Sequence, residues 1–259
     1  MVKGLRLFRD HFERFTESYA IIGGAAASEW FAKENYEFRV TKDIDIVILI
    51  ESLDDSFLQR FWEFVKLGAY EVKQRSDESH RYYRFAKPQD ASYPDMLELF
   101  SRSLEGLKLR DEQTIVPIPK DEDASSLSAI LMDQDYYRIV LDFRQINNGL
   151  PLITPPGIIL LKSRAWLDLR QREQAGEKVD SKHIKKHRND VFRLAMLLPA
   201  EKSFSIPLSV HGDFQRFLSA FPEESAEWQN IKDAMGKKPP MLPAGEMIAA
   251  LNRLFIATD

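Results

Sequence analysis

The chain has no cysteine, which excludes disulfide frameworks, thiolate zinc sites and thiol nucleophiles together, and is compatible with a cytoplasmic location. It has no long apolar run. The longest stretch, Ile44 to Ile50, is broken by Asp45 and is far too short to span a bilayer, so a soluble protein without membrane contact is expected. Residues 1–10 lack the apolar core of a signal peptide. No internal repeat or low-complexity segment is evident. Nor is there a strong excess of either charge: the formal net charge is −4, so any nucleic-acid role must rest on a local basic patch. What remains, 44% apolar and 29% charged residues in 259, is the composition of a globular chain with a sizeable core.

Periodicity divides the chain near residue 150. Leu5, Phe8, Phe12 and Phe15 recur at helical spacing and predict an amphipathic helix over 4–18. A short strand at Tyr19–Ile22, a helix at Ala25–Lys33, a strand at Asp43–Ile50 and a helix from about Asp54 to Lys66 follow. Further strands are expected at Tyr70–Lys73, Tyr82–Phe85, Met96–Phe100, Thr114–Ile118 and Arg138–Phe143, with a polar turn at Ser76–Ser79. After Asn147-Asn148-Gly149 and a turn at Thr154-Pro155-Pro156-Gly157, helices are predicted over 158–172 and 181–198, then near 208–220, 223–235 and 244–256. The expected organisation is an α+β domain over 1–150, with a mixed sheet flanked by helices, followed by an all-helical domain over 151–259.

The most informative pattern is Ile21-Ile22-Gly23-Gly24-Ala25 followed about twenty residues later by Asp43-Ile44-Asp45. The first reads as a strand turning into a helix. Glycines there let the backbone approach a phosphate, and the helix start offers unpaired amides and the positive end of its dipole. Ser28, one turn further on, is a candidate hydroxyl contact. In a strand, side chains two apart share a face, so Asp43 and Asp45 converge while Ile44 and Ile46 turn to the core. Alone, Gly-Gly is most often a plain turn and Asp-Ile-Asp a solvated strand end; their joint occurrence carries the signal. Transfer chemistry on a triphosphate needs such acids, because Mg²⁺ prefers oxygen ligands and two ions roughly 3.5–4 Å apart can clamp the attacking and leaving oxygens. Ions held this way keep the acids ionised without any raised pKa. Glu98, flanked by apolar residues in Met96–Phe100, is the choice for a third carboxylate serving the second metal and the nucleophile; Asp95, after Pro94, is its nearest rival.

This combination resembles the nucleotidyltransferase superfamily that shares the DNA polymerase β catalytic fold. Its pattern of an apolar residue before Gly-Gly, an acid–apolar–acid strand and a later acid-bearing strand is matched by Ile22-Gly23-Gly24, Asp43-Ile44-Asp45 and Leu97-Glu98-Leu99. Arg39-Val40-Thr41-Lys42-Asp43-Ile44-Asp45 is similar to the acid-pair segment of the AbiEii-type nucleotidyltransferase toxins of type IV toxin–antitoxin systems. So are Ile158–Ala165 and Lys185–Asp190. Ala25 departs from the many relatives that carry a hydroxyl residue there. The resemblance implies Mg²⁺ or Mn²⁺ at Asp43, Asp45 and Glu98. It implies an NTP contacted by Gly23, Gly24, Lys42 and Lys162, with Asp190 in the helical support. It also implies an RNA acceptor, tRNA in particular, and an antitoxin protein as partner. A small-molecule acceptor of the aminoglycoside kind, and a catalytically silent module that binds nucleotide or protein, stay open.

Between Lys162 and Arg193, ten basic residues outnumber five acids, a local excess that suits RNA phosphates but also describes a solvated, salt-bridged helix face. His183 and His187 have metal-binding spacing, but Ile184 stands where a zinc-protease helix carries glutamate, so no zinc site is expected. His80 reads as a surface residue, and Trp30, Trp62 and Trp166 as core anchors.

Overall fold

The computed structural model describes residues 2–52, 54–74, 82–100, 116–117, 130–131, 133–198, 202–235 and 240–258. Helix α1 (Leu5–His11) begins after Gly4 and gives way to a single 3-10 turn at Glu13–Phe15, so the predicted first helix is shorter than its apolar spacing suggested. Then come β1 (Tyr19–Ile22), α2 (Gly23–Lys33), β2 (Asp43–Ile48), α3 (Asp55–Leu67), β3 (Glu71–Gln74), β4 (Tyr82–Ala86), β5 (Met96–Phe100) and β6 (Val116–Pro117). Asp54 caps α3 by accepting from the Phe57 amide at 2.7 Å. The predicted turn at 76–79, His80 and most of the strand at 114–118 lie outside the described residues.

The segment expected as a strand at Arg138–Phe143 is instead helical, α4 (Gln134–Asp142). Its β-branched residues misled, but Tyr136, Tyr137, Ile139 and Val140 are buried at helical spacing, and Asp133 caps the start by accepting from the Asp135 and Tyr136 amides. Beyond it, β7 (Arg144–Asn147) and β8 (Leu150–Ile153) form a hairpin. Its loop is Asn148-Gly149, with φ of +51° and +78°, the two positive angles a tight hairpin turn needs.

These strands build one eight-stranded mixed sheet in the order β6-β3-β4-β5-β2-β1-β8-β7. The α+β class with a mixed sheet flanked by helices is as expected. β8 carries that sheet past residue 150, pairing parallel with β1 at Ile21↔Leu152.

The expected turn at Thr154–Gly157 is the start of a helix, α5 (Pro155–Gln174), with proline in its first turn, where the missing N–H is harmless. Then follow α6 (Ser181–Ala195), β9 (Phe204–Pro207), α7 (Leu208–Ser219), α8 (Glu227–Met235), α9 (Ala244–Leu254) and β10 (Phe255–Thr258). Among the described residues after β8, the carboxy-terminal half is helical except for one parallel pair, β9 with β10.

Aromatic side chains fill both halves of a continuous core. Phe8, Phe12, Tyr19, Phe57 and Phe64 pack around α1 and α3 with ring centroids 4.4–6.0 Å apart. Trp166, Phe192, Phe217, Phe221 and Trp228 do the same among the later helices. Trp30, Trp62 and Trp166 are all buried, as read from the sequence, and the Trp30 indole donates to the Ile153 carbonyl at 2.8 Å. No helix among the described residues is long and apolar enough to cross a membrane.

Candidate active site

Strand register places the acids. Asp45 stands opposite Ile22 on β1 and opposite Glu98 on β5, and Glu98 stands opposite Arg84 on β4. Asp43, two residues before Asp45, shares its face. All four charged side chains line one cavity of about 150 Å³, together with Gly23, Gly24, Arg39, Thr41 and Lys162. Six of the eight sequence candidates thus meet in one place: Gly23, Gly24, Asp43, Asp45, Glu98 and Lys162. Ser28 and Lys42 are not among its lining. Ser28 borders a neighbouring hollow of about 370 Å³, which shares only Arg39 and Thr41 with the first, and Lys42 is exposed.

Gly23 and Gly24 are the first residues of α2, so helix begins two residues earlier than expected. Gly23 has φ of +67°, and a Cβ there would lie 1.9 Å from Oδ2 of Asp45. Only glycine satisfies both the backbone angle and the carboxylate's position. A Cβ on Gly24 would lie 2.8 Å from the Thr41 hydroxyl oxygen. Ile22 occupies the N-cap position and offers no side-chain acceptor. The orphan amides of the first turn are therefore available to an anion, beside the positive end of the helix dipole.

The opposite wall is helical. From α5 comes Lys162, which is buried, its ammonium 3.1 Å from Oδ2 of Asp190 on α6. Asp190 is 1% exposed and is also held by Arg39, whose Nε donates to Oδ1 at 2.9 Å and whose terminal nitrogen donates to Oδ2 at 2.8 Å. Burial by itself would raise the Asp190 carboxyl, but Lys162 and Arg39 overcome it and hold the group well below the usual carboxylate range. His183, Lys186 and His187 reach the cavity from the same face of α6 as Asp190, at offsets of seven, four and three residues from it. The spacing of 183, 186, 187 and 190 was the available sequence signal for this wall. Arg39, Thr41 and Arg84 gave none except adjacency to the acids.

Two carboxylates side by side make the sheet wall electrostatically uncomfortable. Burial, and then the neighbouring charge of Asp45, raise the Asp43 carboxyl, opposed by Lys186, Arg84 and Arg39. Glu98 differs. Nε of Arg84 donates to its Oε1 at 2.7 Å and a terminal nitrogen pairs with the same oxygen. The sequence reading gives Glu98 to a second metal and the nucleophile; in the structure its carboxylate pairs with a protein cation, Arg84. Among the described residues no three His, Asp or Glu side chains are drawn together as a metal-ligand set. The Asp43–Asp45 pair nevertheless fits one Mg²⁺ or Mn²⁺, since Mg²⁺ is commonly held by one or two carboxylates with substrate phosphates and water completing its shell.

No protein-family model matches the chain, and no curated protein does. Several solved structures are similar to it, and two serve to describe them. One is an antigenic nucleotidyltransferase-like protein from Paracoccidioides brasiliensis, 16% identical, with a TM-score of 0.41 over 98% of this chain and 95% of that one. The other is the antibiotic-resistance factor ANT(2'')-Ia, 14% identical, with a TM-score of 0.36 over 85% of this chain and 95% of that one.

The basic stretch from Lys162 to Arg193 is largely engaged. Arg164 pairs with Asp213, Arg170 with Glu173, Arg172 with Glu177 and Arg188 with Glu227. That is mostly the salt-bridged helix face weighed in the sequence reading. Lys178, Lys182 and Lys185 stay exposed.

Proposed function

We propose that this cavity carries out nucleotidyl transfer on a polymerase-β-like fold, moving a nucleoside monophosphate from an NTP to a hydroxyl acceptor. The acceptor oxygen bonds to the α-phosphorus, the bond to the β-phosphate oxygen breaks, and pyrophosphate leaves. The observation that carries this reading is the meeting of the uncapped start of α2, the Asp43–Asp45 pair and the Lys162 ammonium in one cavity. The α2 amides at Gly23 and Gly24 and the Lys162 ammonium suit the triphosphate oxygens. Asp43 and Asp45 would hold Mg²⁺ or Mn²⁺, which when bound offsets the charge gathering on the transferring phosphoryl group. Glu98, on the same row as Asp45, would be the third carboxylate and serve the acceptor hydroxyl.

A finer reading makes the protein an AbiEii-like toxin that modifies RNA, tRNA in particular, and is restrained by an antitoxin. Support comes from the resemblance around Arg39–Asp45 and from Lys182 and Lys185, which lie on the helix that walls the cavity. An aminoglycoside-like acceptor fits the same transfer. The Arg84–Glu98 ion pair favours a second reading, a silent nucleotide-binding or protein-interaction module, because it gives the third acid an internal partner.

Incubation with Mg²⁺ and each α-labelled NTP, with total RNA or with an aminoglycoside, tests these readings. Label on an acceptor with release of pyrophosphate supports transfer, and the acceptor labelled names the class. Nucleotide bound without pyrophosphate release, in every combination, would overturn transfer in favour of the silent module.

A further inference from the structure

The hollow of about 370 Å³ beside the first cavity has no task in the proposed chemistry. We propose that it is the subsite for the base of the NTP, with the Tyr36 ring as the surface on which that base stacks. This rests on the reading of the first cavity as a nucleotidyl-transfer site.

One helix and the chain that leaves it build the hollow. α2 ends at Lys33, and Asn35, with φ of +59°, turns the chain back so that the Tyr36 amide donates to the Phe31 carbonyl at 2.9 Å. Asparagine is one of the few side chains that adopt this left-handed angle readily. Tyr36, Phe38 and Val40 thus come to line the hollow with Ala32 of α2. Phe38 is already engaged: it packs on Phe31 with ring centroids 5.0 Å apart, and the Arg39 and Arg193 guanidiniums lie 5.2 and 5.5 Å from its ring. Tyr36 is half-buried, and among the described residues neither a second ring nor a hydrogen-bond partner engages its side chain. Val40 is 83% exposed, so the hollow has an open apolar rim.

The two hollows share Arg39 and Thr41, and both residues lie against the turn that receives the phosphates. A Cβ on Gly24 would be 2.8 Å from the Thr41 hydroxyl and 3.4 Å from a terminal nitrogen of Arg39. Asp190 fixes that guanidinium. A ligand spanning the shared wall therefore carries phosphate at one end and a flat apolar group at the other. Strand order decides which substrate this is. Asp45 has β1 and the start of α2 on one side and Glu98 on the other. The hollow lies on the α2 side, and the acceptor hydroxyl is served from the Glu98 side. The nucleotide, not the acceptor, thus reaches Tyr36. Every base has a π face, so stacking supplies affinity without choosing among bases, and it needs no hydrogen bond from Ser28, which also borders the hollow.

Calorimetry with Mg²⁺ compares the α,β-methylene analogue of each NTP with tripolyphosphate, which has the phosphates and no base. Tyr36→Ala, checked for folding by circular dichroism, is expected to weaken the tightest analogue about tenfold, within the roughly 5- to 150-fold that one lost stacking contact represents, and to leave tripolyphosphate within about twofold. Tyr36→Phe is expected to keep the unaltered affinity, and Lys162→Met to weaken both ligands. Unchanged analogue affinity in Tyr36→Ala, equal weakening of analogue and tripolyphosphate, or a rise confined to the KM of the acceptor would overturn the base subsite while leaving nucleotidyl transfer intact. No binding of either ligand to the unaltered protein would overturn both. If Tyr36→Ala fails to fold, photolysis of the azido-base form of the same NTP on the unaltered protein decides: label within residues 28–41 supports the subsite, and label elsewhere overturns it.

Discussion

The carboxylate of Asp190 lies 3.1 Å from the ammonium of Lys162 and accepts from Arg39, so one acid with almost no exposure pairs with two cations of the cavity wall. Asp190→Asn would strand both positive charges. Breaking a buried ion pair in this way costs about 3–5 kcal/mol, and a loss of that order is expected in urea unfolding at neutral pH.

The same residue sets a pH dependence. The Asp190 carboxyl is held below its ordinary value in the fold, so its contribution is present above the unfolded-state value, about 3.9, and fades as the pH falls below that. The stability gap between the unaltered protein and Asp190→Asn should therefore be constant from pH 6 to 8, as chosen assay points, and narrow below about pH 4. A gap that widens in acid would contradict the geometry.

At Asp43 the sign is reversed. Burial and the adjacent Asp45 raise its carboxyl, so the ionised form is penalised by the fold at neutral pH. Asp43→Asn should raise the melting temperature without metal. If the proposed transfer holds, it should also raise that barrier by several kcal/mol, on the order of a thousandfold in rate, and remove the stabilisation expected from Mg²⁺ binding. Thermal melts with and without Mg²⁺ separate the effects.

Gly23→Ala meets two obstacles, a φ of +67° and a Cβ 1.9 Å from Asp45 Oδ2. The backbone angle alone costs about 1–2 kcal/mol, and the displaced carboxylate should weaken Mn²⁺ binding further. Gly24→Ala, with a normal angle and a 2.8 Å approach to the Thr41 hydroxyl, should be milder in both respects.

Lys162→Met should lower NTP affinity about tenfold or more, the weight of a hydrogen bond to a charged group. Ser28→Ala and Lys42→Ala should change it by less than about twofold, since neither lines the cavity. Calorimetry with a non-hydrolysable analogue compares the three.

The sheet half of the cavity was legible because β-strand arithmetic is local. Asp43 and Asp45 share a face by spacing alone, and Met96–Phe100 has the bounds its apolar run predicts. The turn glycines were legible too, although they begin the helix rather than precede it. The Asn148-Gly149 hairpin had a strong local signal, yet it read as a boundary because β8 is too short to announce itself. Arg138–Phe143 was misread because β-branched residues also populate a helix once an Asp cap and a buried face favour it. Arg84 and Arg39 were out of reach: each matters through a partner that only the folded register supplies, Glu98 fourteen positions away and Asp190 one hundred and fifty-one.

Strand β8 has a consequence for how the chain can be divided. It lies against β1 as the last strand but one of the sheet, and its last residue, Ile153, accepts from Trp30 on α2. A fragment cut at residue 150 would lose that neighbour and turn β1 into an open edge, with Lys162 and Asp190 left on the other piece. A split-protein or domain-exchange experiment should thus cut after Ile153, and two fragments made at 150 should recover nucleotide binding only when expressed together.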